Sequence, residues 1–413
     1  MQERLAARGG LDLARGANKK QTTLTARSNN PPAPRALSAS PKKTVGKLHV
    51  PLGEDGAGLY SEATKGCFNV IDASRPLVED AIASIPKPAA GVPYSVADFG
   101  TADAGTSLPL MHSIVQQIRE TEPSRDVSIL YEDQPSNEWR SVFNYSQGLK
   151  RLDGVPLYSD DFENVFVTAS GTSFHQQCFP SGTVQLGVCY TAMHWLSEQP
   201  CELTECLHSC QATGDEKEKF EAVAAADWER ILLARAAELA PGGRLVLANF
   251  TVDEDGYYLG HSDVGPNMYS NFRSLWRGLV DEGVITEDEF KRCTFYSHYR
   301  TKEEACAPFQ EGTKIWEAGL RLVSCESKLT RCPYRRTWEE NGGDPAIFAK
   351  NYVPTTRTWS NSTFFNALSD ERSFEERTQI VNDFFQAYED LVAQDPTGHG
   401  MDYVHQYMVI SKV

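Results

Sequence analysis

Apolar positions along this chain fall into two rhythms, short unbroken runs and helix-period stripes. Tyr94–Gly100 is a short apolar run ending in Asp-Phe-Gly and predicts a buried strand. Ser107–Glu120 places Leu108, Met111, Ile114, Val115 and Ile118 on one stripe, which predicts an amphipathic helix. Val127–Tyr131, Asn164–Thr168 and Arg244–Phe250 predict further strands. Asp215–Leu239 predicts a long helix closed by Pro241-Gly242-Gly243. Leu320–Ser324 and Tyr403–Ser411 add strands near the end. Such alternation implies an α/β fold, a largely parallel sheet with helices on both faces. The polar, helix-rich stretch around 255–315 and the irregular, Thr-, Arg- and Asn-rich stretch around 325–372 are assigned to a mostly helical cap. No internal repeat is present.

At 413 residues the chain suffices for one large α/β domain with a cap, or for two domains. Residues 1–47 are basic, Ser- and Pro-rich and aperiodic. They read as a disordered tail or an organelle transit peptide, with the ordered domain spanning 48–413. A cytoplasmic location is expected, or a plastid or mitochondrial one if the tail is a transit peptide. Residues 51–413 hold 30 bases against 54 acids, a net charge of −24. So acidic a body repels a phosphate backbone, which argues against nucleic acid as substrate. No apolar run of about 18 residues exists, so no membrane span is expected. Of the ten cysteines, Cys201, Cys206 and Cys210 come closest to a zinc pattern, but no CxxC pair completes one. Free thiols in a reducing compartment are expected.

Ligands of open α/β sheets bind beyond the carboxyl ends of the strands. The first strand runs into Asp98-Phe99-Gly100-Thr101-Ala102-Asp103-Ala104-Gly105-Thr106, where small residues let a ligand approach the backbone. This is neither GxGxxG nor a P-loop. The acidic pair Asp98 and Asp103 suits a cationic ligand, such as a sulfonium with an attached ammonium, better than a pyrophosphate. The second strand ends Tyr131-Glu132-Asp133-Gln134-Pro135. An acid there can bind ribose hydroxyls, or simply cap a helix or sit in a solvated turn.

Four elements, in order, carry a family resemblance. They are Val96-Ala97-Asp98-Phe99-Gly100, Glu132 through Trp139 (EDQPSNEW), Gly171-Thr172-Ser173-Phe174 with a later Phe179-Pro180, and His194-Trp195-Leu196-Ser197 with Pro200. With these the chain resembles the SABATH methyltransferases, which methylate small carboxylic acids or ring nitrogens. The resemblance implies a Rossmann-like class I methyltransferase sheet and S-adenosyl-L-methionine as cofactor. It implies that Asp98, Gly100 and the loop to Thr106 hold the methionine part. Asp133 and Gln134 would meet the ribose, and Ser173 and Phe174 the adenine. Tyr60 and Thr64 would close over the cofactor. His194 and Trp195 would face a small-molecule acceptor, and a homodimer is possible for the family. Two blander readings stand beside these: Trp195 as a core aromatic and His194 as a satisfied histidine, both on a helix.

Three positions depart from the family pattern. Its acceptor-binding glutamine falls on Cys67, and a thiol is a weak donor. Its loop asparagine falls on Thr106. Its metal element falls on Arg292-Cys293-Thr294-Phe295-Tyr296, which lacks the oxygen ligands, so no metal is expected. The leading expectation is methyl transfer to the carboxylate of a small organic acid. The alternatives are N- or O-methyl transfer on the same fold, or a homologue that binds the cofactor without catalysis.

Overall fold

A computed structural model describes residues 56–413. The expected basic tail, its transit-peptide reading and the start of order at Leu48 lie outside the described residues. Seven strands form one sheet: β1 (Tyr94–Phe99), β2 (Val127–Glu132), β3 (Val165–Ser170), β4 (Val184–Tyr190), β5 (Leu239–Phe250), β6 (Leu320–Thr330) and β7 (Tyr403–Lys412). Their order is β3-β2-β1-β4-β5-β7-β6. The first five strands pair in parallel, and β7 runs antiparallel to both neighbours. The strand order reverses between β1 and β4, and such a switch point opens a crevice at the carboxyl ends.

The expected elements form where their apolar residues can be buried. Val96, Ala97 and Phe99 of β1 are buried. The helix Leu108–Thr121 buries Leu108, Met111, Ile114, Val115 and Ile118, the stripe visible in the sequence, and carries Pro109 in its first turn. β4 was not among the expected strands. Its larger apolar residues Val184, Leu186, Val188 and Tyr190 alternate with Gln185, Gly187 and Cys189, and both sets are buried because helices cover the two faces of the sheet. Pro241-Gly242-Gly243 is not a turn before a strand, as expected. β5 already begins at Leu239, and the Pro-Gly-Gly forms an irregularity within it, with Gly242 at φ 78°.

The stretch read as irregular from 325 differs most. Cys325–Thr330 complete β6, and Pro333–Asn341 and Pro345–Ala367 are helices. The second helix is rich in Thr and Ser yet largely buried, because its hydroxyls bond back to its own carbonyls: Thr356 to Val353, Thr358 to Thr355 and Ser360 to Thr356, at 2.7–2.8 Å. It packs with the helices Met268–Asp281 and Phe374–Gln394 through aromatic rings, such as Trp276 on Phe364 at 5.0 Å and Phe364 on Phe384 at 4.2 Å. Thr355 and Tyr334 both donate to the Ala63 carbonyl, at 2.7 and 2.8 Å. They tie this helical group to the first helices of the described chain, Leu59–Ala63 and Lys65–Asp72.

Candidate functional site

At the β1–β4 switch point a cleft of about 310 Å³, open to solvent, is lined by Tyr60, Cys67, Asp98, Gly100, Thr106 and Thr191, among others. Gly100 turns the chain out of β1 at φ 73°, and a Cβ there would stand 2.3 Å from the Cβ of Ala192. Glycine is therefore required where the β1 and β4 turns meet.

Asp98 is 3% exposed, and Ser107 (2.7 Å) and Thr101 (3.2 Å) both donate to the same oxygen, Oδ2. Burial pushes its carboxyl up to about 6, against the pull of those two hydroxyls. Asp133, at the end of β2, accepts from the amides of Ala102 (2.9 Å) and Gln134 (2.8 Å). Burial pushes it up to about 7. Glu132 accepts from the Gly100 amide at 3.1 Å and is fully buried, which holds its carboxyl well above the usual range. Three carboxylates thus converge on one loop, each braced by backbone amides or hydroxyls.

Asp103 does not join them as a ligand for a cation. Its carboxylate accepts from the Ser61 amide at 2.9 Å, from the Ser61 hydroxyl and from the Gly105 amide at 3.2 Å. It is buried and clasps the 59–63 helix to the β1 loop. Sequence reading missed Ser61 and Ser107, though each sits beside a residue it singled out. Thr64 is buried, and its hydroxyl donates to the Tyr60 carbonyl, so it shapes the turn rather than lining the cleft.

Ser173 and Phe174 lie on the loop after β3. The Ser173 hydroxyl meets His175 Nδ1 at 3.0 Å. The loop is held from behind by a buried ion pair in the helix Gly214–Glu238. Arg235 bonds Glu238 at 2.6 and 2.8 Å, and both are at most 1% exposed. The same guanidinium donates to the carbonyls of Phe174 and Gln176, each at 2.8 Å, and stacks over Phe99 at 4.1 Å. Glu238 returns the favour by accepting from the Cys178 and Phe179 amides.

His194 and Trp195 lie on the loop after β4, not on a helix. Thr191 at φ 60° breaks the chain direction there. His194 is buried among rings, 4.9 Å from Phe250, 5.5 Å from Tyr299 and 5.4 Å from Trp195. Trp195 is half-buried and meets Tyr296 at 5.8 Å. Cys67, buried on the helix Lys65–Asp72, faces Tyr60, whose hydroxyl is 3.6 Å from the sulfur. In the stretch matched to the family's metal element, Cys293 and Phe295 belong to the core, and Thr294 accepts from the Leu203 amide at 3.0 Å.

This sheet order, with a cleft at the β1–β4 crevice lined by Asp98, is that of a class I S-adenosylmethionine-dependent methyltransferase. A structure of loganic acid methyltransferase with SAH superposes with a TM-score of 0.67 at 17% identity, covering 88% of this chain and 98% of that one. The family model for SAM dependent carboxyl methyltransferases matches residues 47–412, and the chain belongs to that family. Gibberellic acid methyltransferase 1 of Arabidopsis thaliana is 25% identical over 72% of this chain and 81% of its own length. Gibberellic acid methyltransferase 2 of the same plant is 23% identical over 62% of this chain and 69% of its own. The chain is thus one of the S-adenosylmethionine-dependent carboxyl methyltransferases. Among the described residues, no helix is long and apolar enough to cross a membrane.

Proposed function

We propose that Asp98, Gly100, Thr106, Asp133 and Gln134 hold the cofactor, with Ser173 and Phe174 at the adenine and Tyr60 above. On this reading His194 and Trp195 orient an acid with an apolar body, and the aromatic helical group caps the site. One observation carries it: the braced Asp98 carboxylate and the Cys67–Tyr60 pair line the same cleft. Cofactor-side and acceptor-side groups thus face one space. The residues fit the cofactor chemically, because buried carboxylates with raised pKa values gain most from a cationic amine and hydroxyl donors.

S-adenosylmethionine supplies an activated methyl group on a good leaving group. An acceptor carboxylate is ionised at neutral pH, so no general base is required. The chain's own work is alignment and exclusion of water. Such positioning can contribute on the order of 7–11 kcal/mol. His194 donates a hydrogen bond to the acceptor, and Trp195 packs on its apolar body. Cys67 favours a second reading, transfer to nitrogen or hydroxyl, in which His194 is the general base.

Incubation with methyl-labelled cofactor and a panel of acids should yield base-labile methyl esters. Label appearing only on amines or phenols would overturn the carboxylate reading in favour of the second.

A further inference from the structure

β7 presents Tyr403, His405 and Tyr407 at alternate positions, on one face of the sheet. The Tyr407 hydroxyl donates to the Val70 carbonyl at 2.9 Å, so this face lies under the helix Lys65–Asp72. The other two side chains are not satisfied in this way. The Tyr403 hydroxyl has only the weakly bonding Cys67 thiol beside it, and both ring nitrogens of His405 find no hydrogen-bond partner among the described residues. Tyr403 is 2% exposed and His405 0%, so bulk water does not serve them either. Leaving three polar atoms of one patch so poorly served is costly. Such a patch calls for a bound molecule or an enclosed water as its partner.

The patch lies between the two acceptor-side elements. The Tyr403 ring fills the space beside Gly66, where a Cβ would stand 2.2 Å from it, and its hydroxyl neighbours the Cys67 thiol. His405 lies 4.3 Å from the Phe250 ring, and Phe250 in turn meets His194 at 4.9 Å. Burial pushes His405 down to about 3, so its ring is neutral at pH 7 and offers one N–H. A phenol O–H and an imidazole N–H are both good donors to a carboxylate, which a thiol is not.

We propose that Tyr403 and His405 are acceptor-binding residues, which grip the acceptor's carboxylate from β7 where Cys67 has no amide to offer. The proposal rests on reading Cys67, His194 and Trp195 as the acceptor side.

The test uses the full chain with labelled S-adenosylmethionine and four acids as probes: gibberellic acid, loganic acid, jasmonic acid and indole-3-acetic acid. On the acid that the unaltered protein esterifies fastest, Tyr403→Phe and His405→Leu should each raise KM for the acid by about tenfold or more, the loss of one hydrogen bond to a charged group. Affinity for S-adenosylhomocysteine and the melting temperature of Tyr403→Phe should not change. Adding Cys67→Gln to Tyr403→Phe should recover much of the lost affinity for the acid. Ester formation with a KM indifferent to both substitutions overturns this proposal alone. A lowered melting temperature with unchanged KM does the same, because it marks a structural hydrogen bond through enclosed water. No ester from the unaltered protein with any of the four, despite S-adenosylhomocysteine binding, overturns the carboxylate reading and this proposal with it.

Discussion

The proposed cofactor rim and the proposed acceptor side are built in opposite ways. At the rim, polar groups are braced: Asp98 by two hydroxyls, Asp133 by two amides, and the β3 loop by Arg235 and Glu238. Its residues sit in short segments after β1, β2 and β3, but the Arg235 brace reaches them from a helix 59–61 residues further along the chain. The acceptor side draws Cys67, His194, Phe250, Tyr299 and Tyr403 from distant parts of the chain and packs them ring on ring. The difference teaches that a fixed cofactor permits a fixed cradle, with each polar group held by a hydrogen bond. A variable acceptor is met by side chains that any element can contribute.

Breaking the rim's support should have the largest effect on the fold. Arg235→Met leaves Glu238 buried without its cation and releases the Phe174 and Gln176 carbonyls. Removing one partner of such a pair costs about 3–5 kcal/mol. Chemical denaturation should show that loss, and refolded variant should bind S-adenosylhomocysteine more weakly. An equally stable variant would mean that the pair does not hold the loop.

A smaller effect separates the halves by pH. Asp98 and Asp133 titrate near 6 and 7 when folded and near 4 when unfolded. A carboxyl whose folded pKa is raised contributes stability below about pH 4, and that contribution is lost as pH rises through 6–7. The ligand-free protein should therefore lose stability from these two groups between pH 5 and 8. Affinity for S-adenosylhomocysteine should move the opposite way, because its ammonium prefers the ionised pair, and should fall at least about tenfold from pH 8 to pH 5. Calorimetric titrations across that range check both signs. A pH-independent affinity would exclude the carboxylates from the contact.

The contrast also explains what the sequence disclosed. β1 was legible as a short apolar run and the helix Leu108–Thr121 by its apolar stripe, and both bury those residues. Asp98 and Asp133 could be singled out because strand ends are where such sheets bind ligands. Asp103 was misread, because nothing in its neighbourhood reveals that Ser61, 42 residues earlier, claims its carboxylate. The helix Pro345–Ala367 was missed because internal hydroxyl bonding disguises a helix as a polar loop, whereas β4 was missed although its apolar residues alternate. Tyr403 and His405 carried no local signal at all, since only tertiary pairing sets them beside Phe250 and Cys67.

The most direct measurement is one calorimetric series with S-adenosylhomocysteine at pH 8, on the unaltered chain, on Asp98→Ala/Asp133→Ala and on Trp195→Ala. The rim holds the nucleoside, so the double variant should show no measurable binding while Trp195→Ala binds as the unaltered chain does. Undiminished affinity in the double variant would contradict the cofactor site placed here.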